Sequence, residues 1–457
     1  MTSTQKQKKP MHVFTILLIL ICLASALTYV VPSGEFERAE NAEGTKIVID
    51  GSYHEVERTT VEPWKIPGLF YKALIEEKTA KLIFFILIIG GSFEIIMKTG
   101  VLVTICENML GYFKNKKVFI IPVFLTVFSI FGFTMGLSTA SVVFVPVGIA
   151  AAKILKFDKL TGTAMVTLGT NAGFAAGIFN PFSVGIAQTL ADVPIFSGAW
   201  IRVLLLIALL IATSLYLVRY ALKNDQIDKN EFGITFEEKI YDKKLSFRQK
   251  IILLEFILMF IFVIYGVTVL SFETAELSTI FLCMGILIGI TAGFGAYQVC
   301  ELFADGCKKM VKGSLVIGMA ATMRLVLNDG NILDTITYRL TNIVYYFPKW
   351  ANLMVMFYSN AVIDLAITSG SAHAAVVMPI MTPMSDVLGL SRQSTVFAFQ
   401  LGDGLVNLVS PISTTLTGVL AISDIPYQKW IRFFLPLVGI YMLIGTAFII
   451  LAGVTGY

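Results

Sequence analysis

The sequence predicts an all-α polytopic membrane protein made of two inverted-topology repeats, each with a re-entrant helical hairpin and a broken transmembrane helix. Three observations carry this. The 457 residues are 56% hydrophobic and only 14% charged, with a mean hydropathy of +0.79, whereas soluble domains carry about 25% charge. Two long stretches with at most one charge have small polar residues at their centres. Short motifs from the first half recur in the same order in the second.

The N-terminal region, 1–31, is a tail with Lys6, Lys8 and Lys9, then the uncharged stretch His12 to Val31. About 20 helical residues cross the roughly 30 Å of a bilayer. Ala24-Ser25-Ala26 has the form of a signal-peptide cleavage site, but the topology works with this helix retained. Residues 32–81 are polar and are placed outside, with a small hairpin over Lys46–Val56 turning at Asp50-Gly51. This segment carries Arg38, Lys46 and Arg58, so the orientation rests on the lysine clusters that flank the spans.

The first repeat, 82–219, opens with a span near Leu82–Leu102. Val118 to Ala152 is uncharged, with Gly136-Leu137-Ser138-Thr139-Ala140-Ser141 at its middle and Lys114, Lys116, Lys117 and Lys153, Lys156, Lys159 at its ends. Both ends therefore lie on one side, as in a hairpin of about 118–152 that dips in and returns; such backbone survives only when walled by protein or lining a water-filled cavity. An interrupted helix over 160–191 and a span over 201–218 follow. A basic cytoplasmic linker occupies 220–250. The second repeat, 251–457, has spans near 251–270, 277–300 and 313–326, then a second hairpin of about 350–388. Its only charge as far as Ser385 is Asp364, and Thr368-Ser369-Gly370-Ser371-Ala372-His373 lies at its middle. Trp200-Ile201-Arg202 recurs as Trp430-Ile431-Arg432, and Asn180-Pro181 as Ser410-Pro411, both 230 positions on. Counting spans puts the second hairpin on the outer side, so the halves are inverted, an architecture of transporters with a solute site near the midplane.

Each hairpin precedes a helix expected to break, at Gly169 to Gly173 with Asn180-Pro181, and at Gly402-Asp403-Gly404 with Ser410-Pro411. Freed N–H groups at half-helix N-termini attract anions, and freed carbonyls suit a cation. The backbone-break residues are Gly169, Pro181, Gly402, Gly404 and Pro411. The candidate solute cradle is Ser138, Thr139, Ser141, Thr170, Asn171, Asn180, Ser369, Gly370, Ser371, His373 and Asn407. Small polar residues are also ordinary packing residues of membrane helices; their pairing and repetition favour the functional reading. Asp364 and Asp403 are sharper, because an acid at the bilayer centre costs about 2.5–3.5 kcal/mol on insertion scales. A coupling ion or a substrate ammonium would repay them; the structural alternative is a partner such as Arg324. Na⁺ near Asn171 and Asp403, or a proton, is the candidate coupling ion, and no other cofactor is expected. Glu94 and Asp334 read as structural.

Other classes fare worse. Basic residues are clustered at span flanks, and nothing suggests nucleic acid. Five cysteines form no C-x-x-C, and three histidines leave little for a histidine metal site. A membrane-embedded hydrolase would rest on Ser371 and His373, yet the run is not G-x-S-x-G and no H-E-x-x-H occurs. A channel fits two closed hairpins poorly.

Ser369-Gly370-Ser371, Met378-Pro379-Ile380-Met381, Gln393 and Ala398-Phe399-Gln400-Leu401-Gly402-Asp403-Gly404 resemble the C4-dicarboxylate anaerobic carrier family of the ion transporter superfamily, which includes arginine/ornithine antiporter-like members. Asn180 to Gln188 and Pro32-Ser33-Gly34-Glu35-Phe36 fit the same family, and the resemblance covers nearly the whole chain. It implies elevator-like alternating access by an ion-coupled symporter or exchanger in the bacterial inner membrane; the lysine clusters put the N-terminus in the cytoplasm, and analogy with elevator-type folds makes a homodimer the candidate assembly. The implied site falls on Ser138, Ser141, Asn171, Asn180, Ser369, Ser371 and Asp403. The sequence departs from the family at the second tip, commonly Ser-Gly-Ser-Gly-Gln, at Asp364, where Asn is usual, and at Thr368, where Pro is usual. The two acids favour an amino acid such as arginine or ornithine over a C4-dicarboxylate, because a di-anion meets repulsion there.

Overall fold

The computed structural model describes residues 13–40, 46–49, 51–101, 104, 117–136, 140–155, 157–223, 245–270, 272, 274–344, 346–410 and 413–457. Seventeen α-helices lie among them. Five are long and apolar enough to cross a membrane: Glu77–Lys98, Ala199–Lys223, Thr274–Thr291, Ala296–Asp329 and Tyr427–Thr455.

The helices are α1 (Val13–Leu27), α2 (Ile66–Ile75), α3 (Glu77–Lys98), α4 (Lys117–Met135), α5 (Ala140–Leu155), α6 (Lys159–Ala176), α7 (Val184–Leu190), α8 (Ala199–Lys223) and α9 (Phe247–Val269). They continue as α10 (Thr274–Thr291), α11 (Ala296–Asp329), α12 (Leu333–Val344), α13 (Lys349–Asp364), α14 (Gly370–Val387), α15 (Arg392–Val406), α16 (Thr414–Ser423) and α17 (Tyr427–Thr455). In one group α1, α2 and α3 pack along α11, with α10 against α3. In the other, α4 and α5 pack on α6, and α13 and α14 on α15. Helix α8 lies against α4 and α6 as α17 lies against α13 and α15. The short second halves are exchanged: α7 packs on α14, and α16 on α5.

Helix α8 orders the two hairpins. Near its N-terminus, Gln393 donates to Ser197 O at 2.7 Å, and Ser391 and Ser394 bond the Tyr457 carbonyl, all beside the base of α14–α15. Near its C-terminus, Tyr220 donates to Asp158 Oδ2 at 3.2 Å, at the base of α5–α6. At 1.5 Å rise per residue these anchors lie about 30 Å apart, so the two hairpin bases sit at opposite ends of the bundle.

The structure corrects the sequence reading in three places. Helix α6 runs unbroken through Gly169–Gly173, and α15 through Gly402-Asp403-Gly404; the breaks come later, at residues 177–183 and from 407 to 410. The glycines serve close crossings instead. A Cβ on Gly169 would stand 2.7 Å from Leu125 O of α4, one on Gly402 2.8 Å from Phe357 O of α13, and one on Gly404 2.7 Å from Ala175 Cβ of α6. Helix α6 ends at Gly177, in the left-handed conformation (φ 60°) that glycine adopts without strain. The expected hairpin over Lys46–Val56 is two ribbons: Arg38–Glu40 pairs with Lys46–Val48, and Gly34–Glu35 with His54–Glu55. Finally, the chain turns at 292–295 rather than continuing to Cys300, and Gly313–Val326 is the interior of the 34-residue α11.

The ribbons are tied to the second half. Arg38 grips Asp334 at 2.8 and 2.9 Å, the Phe36 amide donates to the same carboxylate, and the Val48 amide donates to Asp386 at 3.1 Å. Asp334 and Glu94, whose Oε2 lies 2.5 Å from Lys309 Nζ, are thus ion-pair residues.

Candidate functional site

The site grows from the tip of the second hairpin. Helix α13 ends at Asp364, and α14 begins at Gly370 with Ser369 as an N-cap that makes no side-chain capping bond. The first amides of α14 therefore lack ladder partners. A Cβ on Gly370 would lie 3.0 Å from Asp403 Oδ2, 3.0 Å from Ser183 Cβ and 3.3 Å from the Phe174 ring. The tip is thus wedged between α15, the first break and the end of α6, a place only a glycine fits. Ser369 and Ser371 share a hydroxyl contact at 3.2 Å.

Beneath the tip lie three fully buried titratable side chains from three helices: Asp364, His373 and Asp403, all 0% exposed. His373 Nδ1 is 3.1 Å from Asp403 Oδ1, and the ring packs edge-on against Phe399, with centroids 5.1 Å apart. One ligand atom from each residue lies within 4.8 Å of the others. Both oxygens of Asp364, Asp403 Oδ2 and His373 Nε2 have no hydrogen-bond partner. Arg324 does not serve Asp364. It pairs with Glu76, because α11 presents it toward α2 and α3.

The first half is arranged differently. Asn180 closes its own loop, donating to Ser183 Oγ at 2.6 Å and accepting from the Phe182 amide at 2.9 Å. Gly136, the last described residue before the first tip, abuts Asn180. Pro181 is buried in the break. Thr170 returns its hydroxyl to Val166 O at 2.9 Å, a bond internal to α6. Asn171 is buried with both amide atoms unpartnered, so neither bonds Asp403. Ser141 is buried on α5. Asn407 accepts from Ser413 at 3.4 Å across the second break. Ser138, Thr139 and Pro411 lie outside the described residues.

The structure adds residues that the sequence reading did not select. Asn360, one turn before Asp364, is buried with Oδ1 unpartnered. Gln400, one turn before Asp403, donates to the Phe174 carbonyl at 2.6 Å and so joins α15 to α6. Their spacing of four and three residues from the acids was the available signal. Arg202 is fully buried, with Nη1 toward Gly177 O at the C-terminus of α6, where the helix dipole favours a cation; it had served only as a marker of the repeat. Ser371 and His373 share no hydrogen bond, so the geometry gives that serine no base.

The family model for the C4-dicarboxylate anaerobic carrier, DcuC, matches residues 11–454. The chain belongs to the DcuC family. Among its relatives is an Escherichia coli K12 protein named "Putative basic amino acid antiporter YfcC", 27% identical, with 97% of this chain and 96% of that protein aligned. An uncharacterized Haemophilus influenzae protein is 26% identical, over 97% of this chain and 98% of its own length. The chain also shares its fold with solved transporters. The YdaH transporter of Alcanivorax borkumensis superposes with a TM-score of 0.71 at 14% identity, covering 98% of this chain and 99% of YdaH. MtrF of Neisseria gonorrhoeae, from a class of antimetabolite efflux pumps, gives 0.68 at 15%, covering 98% and 95%. This is a multi-pass membrane transporter of the DcuC family.

Proposed function

We propose that this DcuC-family protein is a secondary active transporter that exchanges or co-transports small carboxylate-bearing solutes by elevator-type alternating access, and that its solute is an amino acid with a basic group, such as arginine or ornithine. One observation carries the choice of solute. Asp364 and Asp403 are buried together, and three of their four oxygens have no partner. A buried carboxylate without a counter-charge is expensive. A guanidinium or ammonium supplies both the positive charge and the N–H donors that these atoms need. The unladdered amides of α14, with Ser369 and Ser371, would receive the solute carboxylate. Exchange with a second solute, Na⁺ or H⁺ would keep the acids neutralised during the return step.

The opposite placement of the hairpin bases along α8 supports two repeats inverted in the bilayer. With Lys6, Lys8 and Lys9 inside, the ribbon segment lies outside, at the base of the second hairpin, in a bacterial inner membrane. A homodimer is part of the same reading.

A second reading, C4-dicarboxylate transport, is favoured by the description of the family. Counterflow in proteoliposomes with labelled arginine and labelled succinate, each with and without Na⁺, separates the two. Arginine counterflow that Asp403→Asn abolishes is the expected result. Succinate counterflow without arginine counterflow overturns the amino-acid reading.

A further inference from the structure

We propose that Asp364, His373 and Asp403 together bind one divalent first-row metal cation, which takes the place of the solute's cationic group and blocks exchange. Only the blocking rests on the function proposed above; ion binding needs the cluster alone.

The imidazole is the starting point. An alkali ion gains from two carboxylates and little from a ring nitrogen, and an ammonium gains from the ring only one hydrogen bond. A first-row divalent ion such as Mn²⁺, Co²⁺ or Zn²⁺ gains from all three groups, since imidazole suits these ions and carboxylates accept most of them. The geometry fits. Around an ion with bonds of about 2.1 Å, ligand atoms stand about 3.0 Å apart at right angles and about 4.2 Å when opposed. The 3.1 Å between His373 Nδ1 and Asp403 Oδ1 is of the first kind, and the 4.8 Å limit for the whole set leaves a small inward movement. Asp364 is fully buried with both oxygens unpartnered, and Asp403 Oδ2 likewise.

Charge points the same way. Acting as ligands, two carboxylates and an imidazole would bring two negative charges, which a divalent ion cancels and a monovalent ion halves. Arg324 pairs with Glu76, Lys309 with Glu94 and Arg392 with Asp386, and the buried Arg202 points its Nη1 at Gly177 O. Three protein ligands also leave coordination positions open, as in sites that exchange their fourth ligand. A bound ion would join α13, α14 and α15, and its charge would exclude a guanidinium from the same oxygens.

The test uses the purified, metal-stripped protein in detergent, titrated with Co²⁺. The expected result is a ligand-field spectrum of nitrogen- and oxygen-bound Co²⁺ that saturates at one ion per chain and is displaced by Zn²⁺. Asp364→Asn should abolish it, and His373→Gln should weaken binding about tenfold or more; both variants must elute as single species. No saturable spectrum, or one that both variants retain, overturns the site. In proteoliposomes, Zn²⁺ should raise the KM for arginine counterflow without changing its maximal rate. Co²⁺ binding with Zn²⁺-insensitive counterflow overturns the block alone. Counterflow without Co²⁺ binding sinks the metal site and spares the transport reading, whereas Co²⁺ binding without arginine counterflow does the reverse.

Discussion

From each hairpin onward the two halves hold five described helices in the same order, yet the polar groups at their breaks are used differently. In the first break, Asn180 satisfies Ser183 and the Phe182 amide within a few residues, and Thr170 bonds its own helix. In the second half, Asp364, Asp403 and His373 are brought together from three helices, and several of their polar atoms remain without partners. A buried polar group stabilises a fold only when its bonding is complete. The first half also leaves atoms of Thr167, Asn171 and Arg202 unpartnered, but its break is closed by local bonds. The second gathers unmet carboxylate and imidazole atoms from three helices into one cluster, as a binding site does.

Three substitutions sharpen that contrast. Asp364→Asn should have the largest and most divided effect. It should reduce arginine counterflow to background, and it should leave stability unchanged or improved by about 1–4 kcal/mol, as relief of buried charge often does. A raised thermal midpoint in detergent with no transport is the expected pair of readings; a large loss of stability would make Asp364 a frame residue like Asn180. Asn180→Ala should do the opposite. It strands the buried Phe182 amide and Ser183 hydroxyl at about 1–3 kcal/mol, lowering the thermal midpoint, while the protein that remains folded keeps its KM. A raised KM with unchanged stability would move Asn180 into the solute site. The smallest effect on binding belongs to Gly404→Ala. Its Cβ would press on Ala175 where the two broken helices cross, at a cost of about 1–3 kcal/mol in stability, with little change in KM when measured on folded protein.

Much of the architecture was legible because it depends on local pattern. Uncharged stretches marked the helices around the first tip, and the repeated Trp-Ile-Arg and Asn-Pro or Ser-Pro motifs marked matching positions in the halves. The glycines were misread for a physical reason. Gly169, Gly402 and Gly404 carry the same residue type whether a helix breaks or another helix passes close by, and only the neighbour decides. Thr170 and Asn171, adjacent in the chain, show the same limit. One turns its hydroxyl back to the helix, and the other ends buried with no partner.

Residue order by itself determined that this chain spans a membrane, that its helices fall into two matching sets, and that acids lie within apolar surroundings, since each of these follows from hydropathy and spacing along a few turns. Tertiary structure alone decided which groups meet. Arg324 went to Glu76 rather than Asp364, His373 went to Asp403 rather than Ser371, and the two hairpins came to rest with their bases at opposite ends of α8. Those outcomes depend on packing between segments tens to hundreds of residues apart, where helix faces and close glycine crossings, not sequence neighbours, set the distances between charges.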